Sequence, residues 1–128
     1  MAIKNYLLHI DEAASAGTKN YYIPFDRLVN VDAVTIVANA TVTGHAANYV
    51  TLTLYGNDGA TALCARNSDT GGTGSTITAG TSEDLVMLNA DKADFSGAQS
   101  MKISSVQAGS GVVTNVVLNI QVSDARKY

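Results

Sequence analysis

The feature that most constrains this fold is a repeated alternation of apolar and polar residues. In residues 115–123 alternate positions are apolar, namely Val116, Leu118, Ile120 and Val122. Residues 34–42 place apolar side chains on one face at Val34, Ile36, Ala38, Ala40 and Val42. Because successive side chains of a strand point to opposite faces, this period predicts half-buried β-strands. The many β-branched residues in these segments favour strands as well.

Turn-forming residues separate the alternating segments at short intervals. Asp58-Gly59 lies between two strand-like segments and favours the positive backbone angles of a tight hairpin. Pro24 cannot donate to a ladder, so it belongs at a strand edge or start. No helical period is sustained, and residues 12–16 and 90–95 are expected to hold a turn of helix at most. The pattern predicts an all-β, antiparallel, two-sheet β-sandwich of about seven to nine short strands.

Chain length and cysteine content define the expected organisation. At 128 residues the chain fits a single domain with a core that needs no cross-links. We expect residues 19–128 to form the sandwich and residues 1–18 to form either an edge strand, over residues 3–9, or an arm that packs on a neighbour. Cys64 is the only cysteine, so an internal disulfide is excluded. Its apolar surroundings predict a small buried hydrophobe rather than a nucleophile or ligand.

The charge pattern excludes several classes of partner. The formal net charge is −3 and only 15% of residues are charged, which argues against nonspecific nucleic-acid binding. The apolar runs are too short for a signal-peptide core or a membrane span, so we expect a soluble protein made in a cytoplasm. Thr, Ser, Asn and Ala replace charged residues on the predicted surface, and such a surface can be buried in an assembly at low desolvation cost.

Residues 68–76, Ser-Asp-Thr-Gly-Gly-Thr-Gly-Ser-Thr, most resemble an active site. They contain the Asp-Thr-Gly triplet of aspartic proteases and a glycine-rich run. An aspartic-protease loop follows apolar residues and pairs with a second aspartate, and neither condition is met here. A phosphate loop requires Gly-Lys-Ser/Thr before a helix, whereas residues 77–88 read as strand. We interpret residues 68–76 as a polar, mobile and exposed connector.

Other residues with catalytic or metal-binding chemistry are scattered. His9 and His45 lack a local triad partner. The small carboxylate clusters follow turn residues and do not have calcium-loop spacing, and they lie at residues 11–12, 83–84 and 91–94. The sequence does not indicate an enzyme, and we expect neither a cofactor nor a metal.

Tyrosine is the residue that indicates recognition. The chain has 6 Tyr, 2 Phe and no Trp. Tyr49 and Tyr55 fall on the polar face of a predicted strand, where they could stack on sugar rings or anchor a protein interface. Both interpretations imply binding rather than catalysis.

A short, weakly charged, Thr/Ala/Gly/Val-rich β chain of this kind resembles the small β-sandwich cement or decoration proteins of tailed-bacteriophage heads. The resemblance rests on the opening residues 1–38, in which an N-terminal segment leads into the first sandwich strand, and on the glycine-rich connector in residues 67–76. It implies a jelly-roll-like subunit bound in many copies to the outside of the capsid in the virion.

The resemblance also implies partners. These are the major capsid protein, whose neighbouring subunits would be bridged, and further copies of the chain itself, with a trimer preferred over a dimer by analogy. Synthesis would occur in the host cytoplasm, and no nucleic acid or membrane would be bound. The residues expected at interfaces are Tyr6, Leu8, Tyr21, Tyr22, Arg126 and Tyr128. The alternative function is a carbohydrate- or receptor-binding module that uses Tyr49 and Tyr55.

Overall fold

Short strands account for most of the folded chain. A computed structural model describes residues 3–14, 17–25, 27–97, 99–110 and 112–124. Within these residues the strands are β1 (Ile3–Glu12), β2 (Gly17–Pro24), β3 (Val29–Ala38), β4 (Tyr49–Tyr55), β5 (Ala62–Asn67), β6 (Ser82–Asp84), β7 (Asp94–Phe95), β8 (Ser100–Ala108) and β9 (Thr114–Asp124). A single turn of 3₁₀ helix at Ala90–Lys92 falls inside the segment where a helical turn was expected.

The strands form two antiparallel sheets. The first sheet has the order β1-β9-β3-β6, with β7 also pairing with β3, and the second sheet has the order β2-β8-β4-β5. The pairs are therefore nested along the chain: β1 with β9, β2 with β8, β3 with β6, and β4 with β5. This nesting is the connectivity of a jelly roll. The prediction of an all-β, two-sheet sandwich is confirmed.

The core lies between the sheets and is built from the predicted alternation. In β9, Val116, Leu118 and Ile120 are fully buried, and the intervening residues face outward. At one end of the core the Phe25 ring meets Tyr6 edge-on, with centroids 5.3 Å apart, and lies 5.1 Å from the Phe95 ring. Such aromatic contacts add to the burial of apolar area in holding the two sheets together.

Three local expectations differ from the structure. Ala40 is exposed because β3 ends at Ala38, so the apolar alternation continues past the end of the strand. Residues 77–88 were expected to be strand, but the only strand there is Ser82–Asp84, which pairs with β3, and Ile77 and Ala79 form isolated bridges with Val42 and Ala38. Glu12, expected in a helical turn, instead ends β1 with a buried side chain.

The connection between β4 and β5 joins two paired strands, as Asp58-Gly59 predicted, but it is longer than a tight hairpin. Gly59 has a φ of 69°, whereas Asp58 does not have a positive φ. The Asp58 carboxylate accepts hydrogen bonds from the backbone N–H groups of Ala60 and Thr61 at 2.9 and 2.8 Å, and from the Thr61 hydroxyl. These bonds, led by that of the Thr61 hydroxyl, lower the pKa of Asp58 to about 2.

Candidate interaction surfaces

The outer face of the second sheet is almost free of charge. We define this face by the outward-pointing residues of β2, β8 and β4, which are Thr18, Asn20, Tyr22, Ser100, Lys102, Ser104, Val106, Ala108, Tyr49, Thr51, Thr53 and Tyr55. Lys102 is the only charged residue in this set. Burying this face against another protein would require the desolvation of one charge per chain.

A row of two tyrosines and a lysine crosses one end of this face. Tyr22 on β2 lies opposite Lys102 on β8, and Tyr55 on β4 lies on the other side of that lysine. The Lys102 ammonium group is 5.1 Å from the centroid of the Tyr55 ring, within cation–π range. The Tyr22 side chain is 61% exposed. Sequence analysis missed this row because it depends on the register of three strands.

Tyr49 lies at the opposite end of β4 from Tyr55. At the rise of an extended strand the two residues are about 20 Å apart. They therefore cannot stack on the same sugar ring, and Tyr55 lies closer to Tyr22, across Lys102, than to Tyr49. Both tyrosines are partly buried on the outer face, and their role in glycan binding remains a prediction.

Three of the predicted interface residues point into the sandwich. Tyr6, Leu8 and Tyr21 are partly buried and pack against the core. The Lys4 ammonium group lies 4.8 Å from the centroid of the Tyr6 ring. Tyr22 is exposed, as described above, whereas Arg126 and Tyr128 lie outside the described residues. The structure thus puts these residues in different places, and their interface role remains a prediction.

A polar cluster lies between the sheets around Glu12, whose side chain is only 3% exposed. The Glu12 carboxylate accepts hydrogen bonds from the Tyr21 hydroxyl, from Ser105 Oγ at 3.0 Å and from Gln107 Nε2 at 3.3 Å. Gln107 Nε2 also donates to Thr114 Oγ1 at 3.2 Å. Burial, with the adjoining Glu12, raises the pKa of Tyr21 to about 12. The cluster links β1, β2, β8 and β9, and so ties the two sheets together.

The outer face of the first sheet carries exposed apolar side chains and the carboxylates of Asp11, Asp32 and Asp84. Leu7 and Ile3 on β1 are 71% and 62% exposed. Farther along, His9 Nε2 and Asn115 Oδ1 are 2.6 Å apart, and Asn39 Nδ2 donates to the same Asn115 oxygen at 3.0 Å. These three side chains join β1, β9 and the end of β3. The contacts of His9 are therefore with asparagine side chains that connect strands.

The connector at residues 68–76 is held by specific hydrogen bonds. Ser68 is fully buried, and its Oγ accepts the Val50 N–H at 3.1 Å, so the expectation that the whole connector is exposed was wrong. The Asp69 carboxylate accepts the Gly71 N–H at 2.9 Å and closes a local turn. The aspartate of the Asp-Thr-Gly triplet therefore has a structural bond.

Arg66 connects this segment to β6 through an ion pair and hydrogen bonds. Its guanidinium group contacts both carboxylate oxygens of Glu83, at 3.1 and 3.3 Å. It also donates to the carbonyl oxygens of Ser75 and Thr76, each at 3.0 Å. The planar fork of arginine can satisfy these acceptors together, which the point charge of lysine cannot.

The remaining titratable side chains do not converge. Asp11 and Glu12 lie on opposite faces of β1, and Glu83 and Asp84 alternate in the same way on β6. Among the described residues, no group of three or more His, Cys, Asp or Glu side chains is placed to hold a metal ion. Cys64 is fully buried, as predicted, and burial raises the pKa of its thiol to about 12. No helix of the described chain is long and apolar enough to cross a membrane.

One cleft of about 290 Å³ opens at an end of the sandwich. It is lined by residues of the β3–β4 and β8–β9 connections, namely Thr41, Val42, Thr43, His45, Asn48, Ser110, Val112 and Val113. His45 Nδ1 accepts the backbone N–H groups of Ala47 and Asn48 at 2.9 and 3.0 Å. The imidazole therefore shapes the β3–β4 connection, and the cleft offers hydroxyl, amide and apolar groups to a ligand.

The fold and these surfaces define a jelly-roll β-sandwich whose second sheet has an almost uncharged outer face. No protein-family model matches the chain, and no curated protein sequence does either. Among solved structures, a chain of infectious bursal disease virus Gx strain overlays with a TM-score of 0.39 and 16% identity, over 98% of this chain and 33% of that chain. A Gt-strain chain gives 0.33 and 12%, over 92% and 32%.

A further overlay is with a chain of maize chlorotic mottle virus, determined by single particle analysis. Its TM-score is 0.32 at 12% identity, over 95% of this chain and 97% of that chain. The chain spans about a third of the length of the two bursal disease virus chains. TM-scores and identities this low establish neither a family nor a function, so function has to be argued from the surfaces of the chain itself.

Proposed function

We propose that this chain is a non-enzymatic structural protein of a virus particle, a cement or decoration protein that binds the outside of a phage head. It bridges neighbouring major capsid protein subunits and stabilises the shell. The observation that carries this proposal is the outer face of the second sheet, whose outward side chains are mostly Thr, Ser, Asn, Ala and Tyr, with Lys102 as the only charged residue of the set. Surfaces depleted of charge and containing tyrosine are typical of the cores of protein interfaces.

The short side chains of the face support this proposal as well. They can be buried against another protein without ordering many flexible groups, so little side-chain entropy is lost. The tyrosine row adds large contact area at one end, with Tyr22 exposed and Tyr55 beside Lys102. Jelly rolls occur in viral capsid and lectin domains, so the fold is compatible with a structural role in a virus particle.

The shell would be stabilised because the protein binds one state of it in preference to others. A protein that binds only the mature shell adds its binding free energy to that state, and so raises the force or temperature at which the shell fails. Many copies act together, so each contact can be modest. No step of this mechanism requires a nucleophile, a cofactor or a metal.

The test is a sedimentation assay with phage heads that lack the protein. Purified chain is added, and a charge is introduced at Thr53 in the middle of the proposed face by Thr53→Glu. Thr35→Glu is the matched control because Thr35 also faces outward from an interior strand, but on the first sheet. We expect Thr53→Glu to weaken co-sedimentation by on the order of tenfold or more, since an unpaired buried charge costs at least about 1.4 kcal/mol. Thr35→Glu should bind normally.

Two results would contradict the proposal. If the unmodified chain stays at the top of the gradient, the capsid role is wrong. If Thr35→Glu loses binding while Thr53→Glu keeps it, the chain binds capsid through the other sheet.

The second candidate function is a carbohydrate- or receptor-binding module. The Tyr22 and Tyr55 rings on either side of Lys102 favour it, because aromatic rings on one face are suited to stacking on successive rings of a sugar chain. This function predicts a thermal shift with a glycan, lost in Tyr55→Ala and unaffected by Val86→Ala at a distant exposed site. A glycan panel without any shift would reject it.

A further inference from the structure

β1 is the long open edge of the sandwich. It runs for 10 residues and pairs with β9 over its full length without a register shift. In the described chain no strand pairs with its other side. Such an edge presents a row of unpaired N–H and C=O groups, which is a template for pairing with another strand.

The other edges of the sandwich are shorter, and each has a feature that limits pairing. β6 has 3 residues, and β2 has 8 residues with Pro24 at one end. The β5 edge is covered by the segment after β6, because the Leu88 N–H donates to the Leu63 carbonyl oxygen at 2.8 Å. Short length, proline and coverage are the usual devices that prevent edge pairing. β1 has none of these three.

The hydrogen-bond pattern identifies which backbone groups of β1 face outward. The Asn39 N–H donates to the Asn115 carbonyl oxygen at 2.8 Å, so the backbone N–H and C=O of Asn115 point toward β3. Asn115 pairs with Asp11, which makes this a non-hydrogen-bonded pair of the β1–β9 ladder. The backbone groups of Asp11 therefore face the open edge. By the alternation of an antiparallel ladder the same holds for Ile3, Asn5, Leu7 and His9.

We propose that β1 pairs antiparallel with β1 of a second copy across a two-fold axis at Leu7. This register places Leu7 opposite Leu7 of the second copy, Asn5 opposite His9, and Ile3 opposite Asp11. Every edge-facing N–H and C=O of the strand then has a partner. Opposite residues also share a face, as antiparallel pairing requires, so the two first sheets merge into one continuous sheet.

Side chains and charges suit this pairing. Leu7, 71% exposed in the single chain, gains an apolar neighbour in its counterpart. Lys4 lies near the start of β1 and Asp11 near its end, whereas Glu12 is buried between the sheets and bonded there. Antiparallel pairing places Lys4 diagonally across from Asp11 of the other copy, on the opposite face of the sheet, while parallel pairing would align Lys4 with Lys4 and Asp11 with Asp11. β1 is therefore self-complementary in the antiparallel orientation.

The pairing is expected to be weak in isolation. The edge supplies at most about ten residues per copy, whereas a standard stable interface uses about 20–30. Pairing would become effective where other contacts already hold two copies close together. The inferred symmetry is two-fold, whereas the resemblance to cement proteins implied a trimer.

Sedimentation equilibrium of the purified chain tests this inference without capsids, so its failure leaves the capsid proposal standing. At about 1 mM a dissociation constant of about 1 mM leaves half of the chains paired. We expect the unmodified chain to reach that extent of dimer or more. Leu7→Lys sets two lysines face to face and should sediment as monomer. Val86→Lys, at a 75% exposed apolar residue on the opposite edge, should dimerise like the unmodified chain.

Disulfide cross-linking tests the register of the proposed β1–β1 pairing. Under oxidation Leu7→Cys should form a disulfide-linked dimer, because opposite hydrogen-bonded residues have Cα atoms about 5.5 Å apart, within disulfide range. Val86→Cys should not, and the native Cys64 is buried. A monomeric or trimeric unmodified chain, a dimer that survives Leu7→Lys, or a dimer lost in Val86→Lys would each overturn the inference.

Discussion

Removing the Glu12 carboxylate tests whether the polar cluster between the sheets holds them together. In Glu12→Ala, the fully buried Ser105 hydroxyl loses its acceptor, while Gln107 keeps its bond to Thr114. A buried donor without a partner costs about 1–3 kcal/mol, and the deleted methylenes leave space that the core must close. Relief of the buried charge offsets part of this cost. We expect the free energy of unfolding to fall by about 2–4 kcal/mol.

Two variants separate the causes. Asp11→Ala removes the neighbouring carboxylate, which is exposed on the other face of β1, and should change the free energy of unfolding by less than about 0.5 kcal/mol. Glu12→Gln keeps the volume and one acceptor oxygen for Ser105, so its loss should be about 1 kcal/mol. The loss in Glu12→Gln measures the altered hydrogen bonds apart from the cavity, and the additional loss in Glu12→Ala measures the cavity together with the lost acceptor of Ser105.

The assay is urea unfolding at neutral pH, followed by thermal unfolding. For a chain of this length the loss in Glu12→Ala corresponds to a fall in Tm of about 7–15 °C. If Glu12→Ala unfolds within about 0.5 kcal/mol of the unmodified chain, the cluster does not join the sheets and the reasoning fails. If Asp11→Ala is equally damaging, the effect belongs to β1 as a whole rather than to the buried carboxylate.

Two further perturbations address the connector and the buried tyrosine. Arg66→Ala removes the contacts to Glu83 and to the carbonyl oxygens of residues 75 and 76. We expect the free energy of unfolding to fall by about 2–3 kcal/mol and proteolysis within residues 68–76 to become faster. Arg66→Lys should recover less than half of this loss, and full recovery would contradict the role of the planar guanidinium group. The folded-state pKa of Tyr21, about 12, lies above its unfolded value of about 10. Its contribution to stability is therefore complete below pH 10 and lost as pH rises toward 12. Unfolding measured across that window should show a shallower decline in Tyr21→Phe, and an unchanged slope would show that Tyr21 does not carry the effect.

The sequence predicted the faces of the strands better than the partners of the strands. The alternation of Val116, Leu118 and Ile120 placed them in the core because period two depends only on local geometry. The same logic failed at Ala40, where the pattern continues after the backbone has left the sheet. The buried position of Glu12 was not predicted, because it depends on partners outside its own segment. This residue occupies an inward position of β1, and a carboxylate there is tolerated only because Tyr21, Ser105 and Gln107 converge on it from distant segments.

The candidate binding surfaces depended on information that a single sequence does not hold. Tyr22, Lys102 and Tyr55 form a row only when β2, β8 and β4 are in the observed register. The open edge of β1 became visible only once the nested pairing had placed β1 outermost and given the other edges a cover. Local pattern identifies strands, whereas register and order are set by contacts between residues far apart in the chain.

The two proposed surfaces are compatible and reinforce each other. A two-fold axis at Leu7 that joins the first sheets runs perpendicular to them, so it leaves the direction from first sheet to second sheet unchanged. Both copies of such a dimer would therefore turn the outer face of the second sheet, with Tyr22 and Tyr55, toward the same side. A pair of neutral faces on one side can engage two neighbouring subunits of a shell at once. The second contact is then intramolecular, so the dimer would bind far more tightly than either face alone.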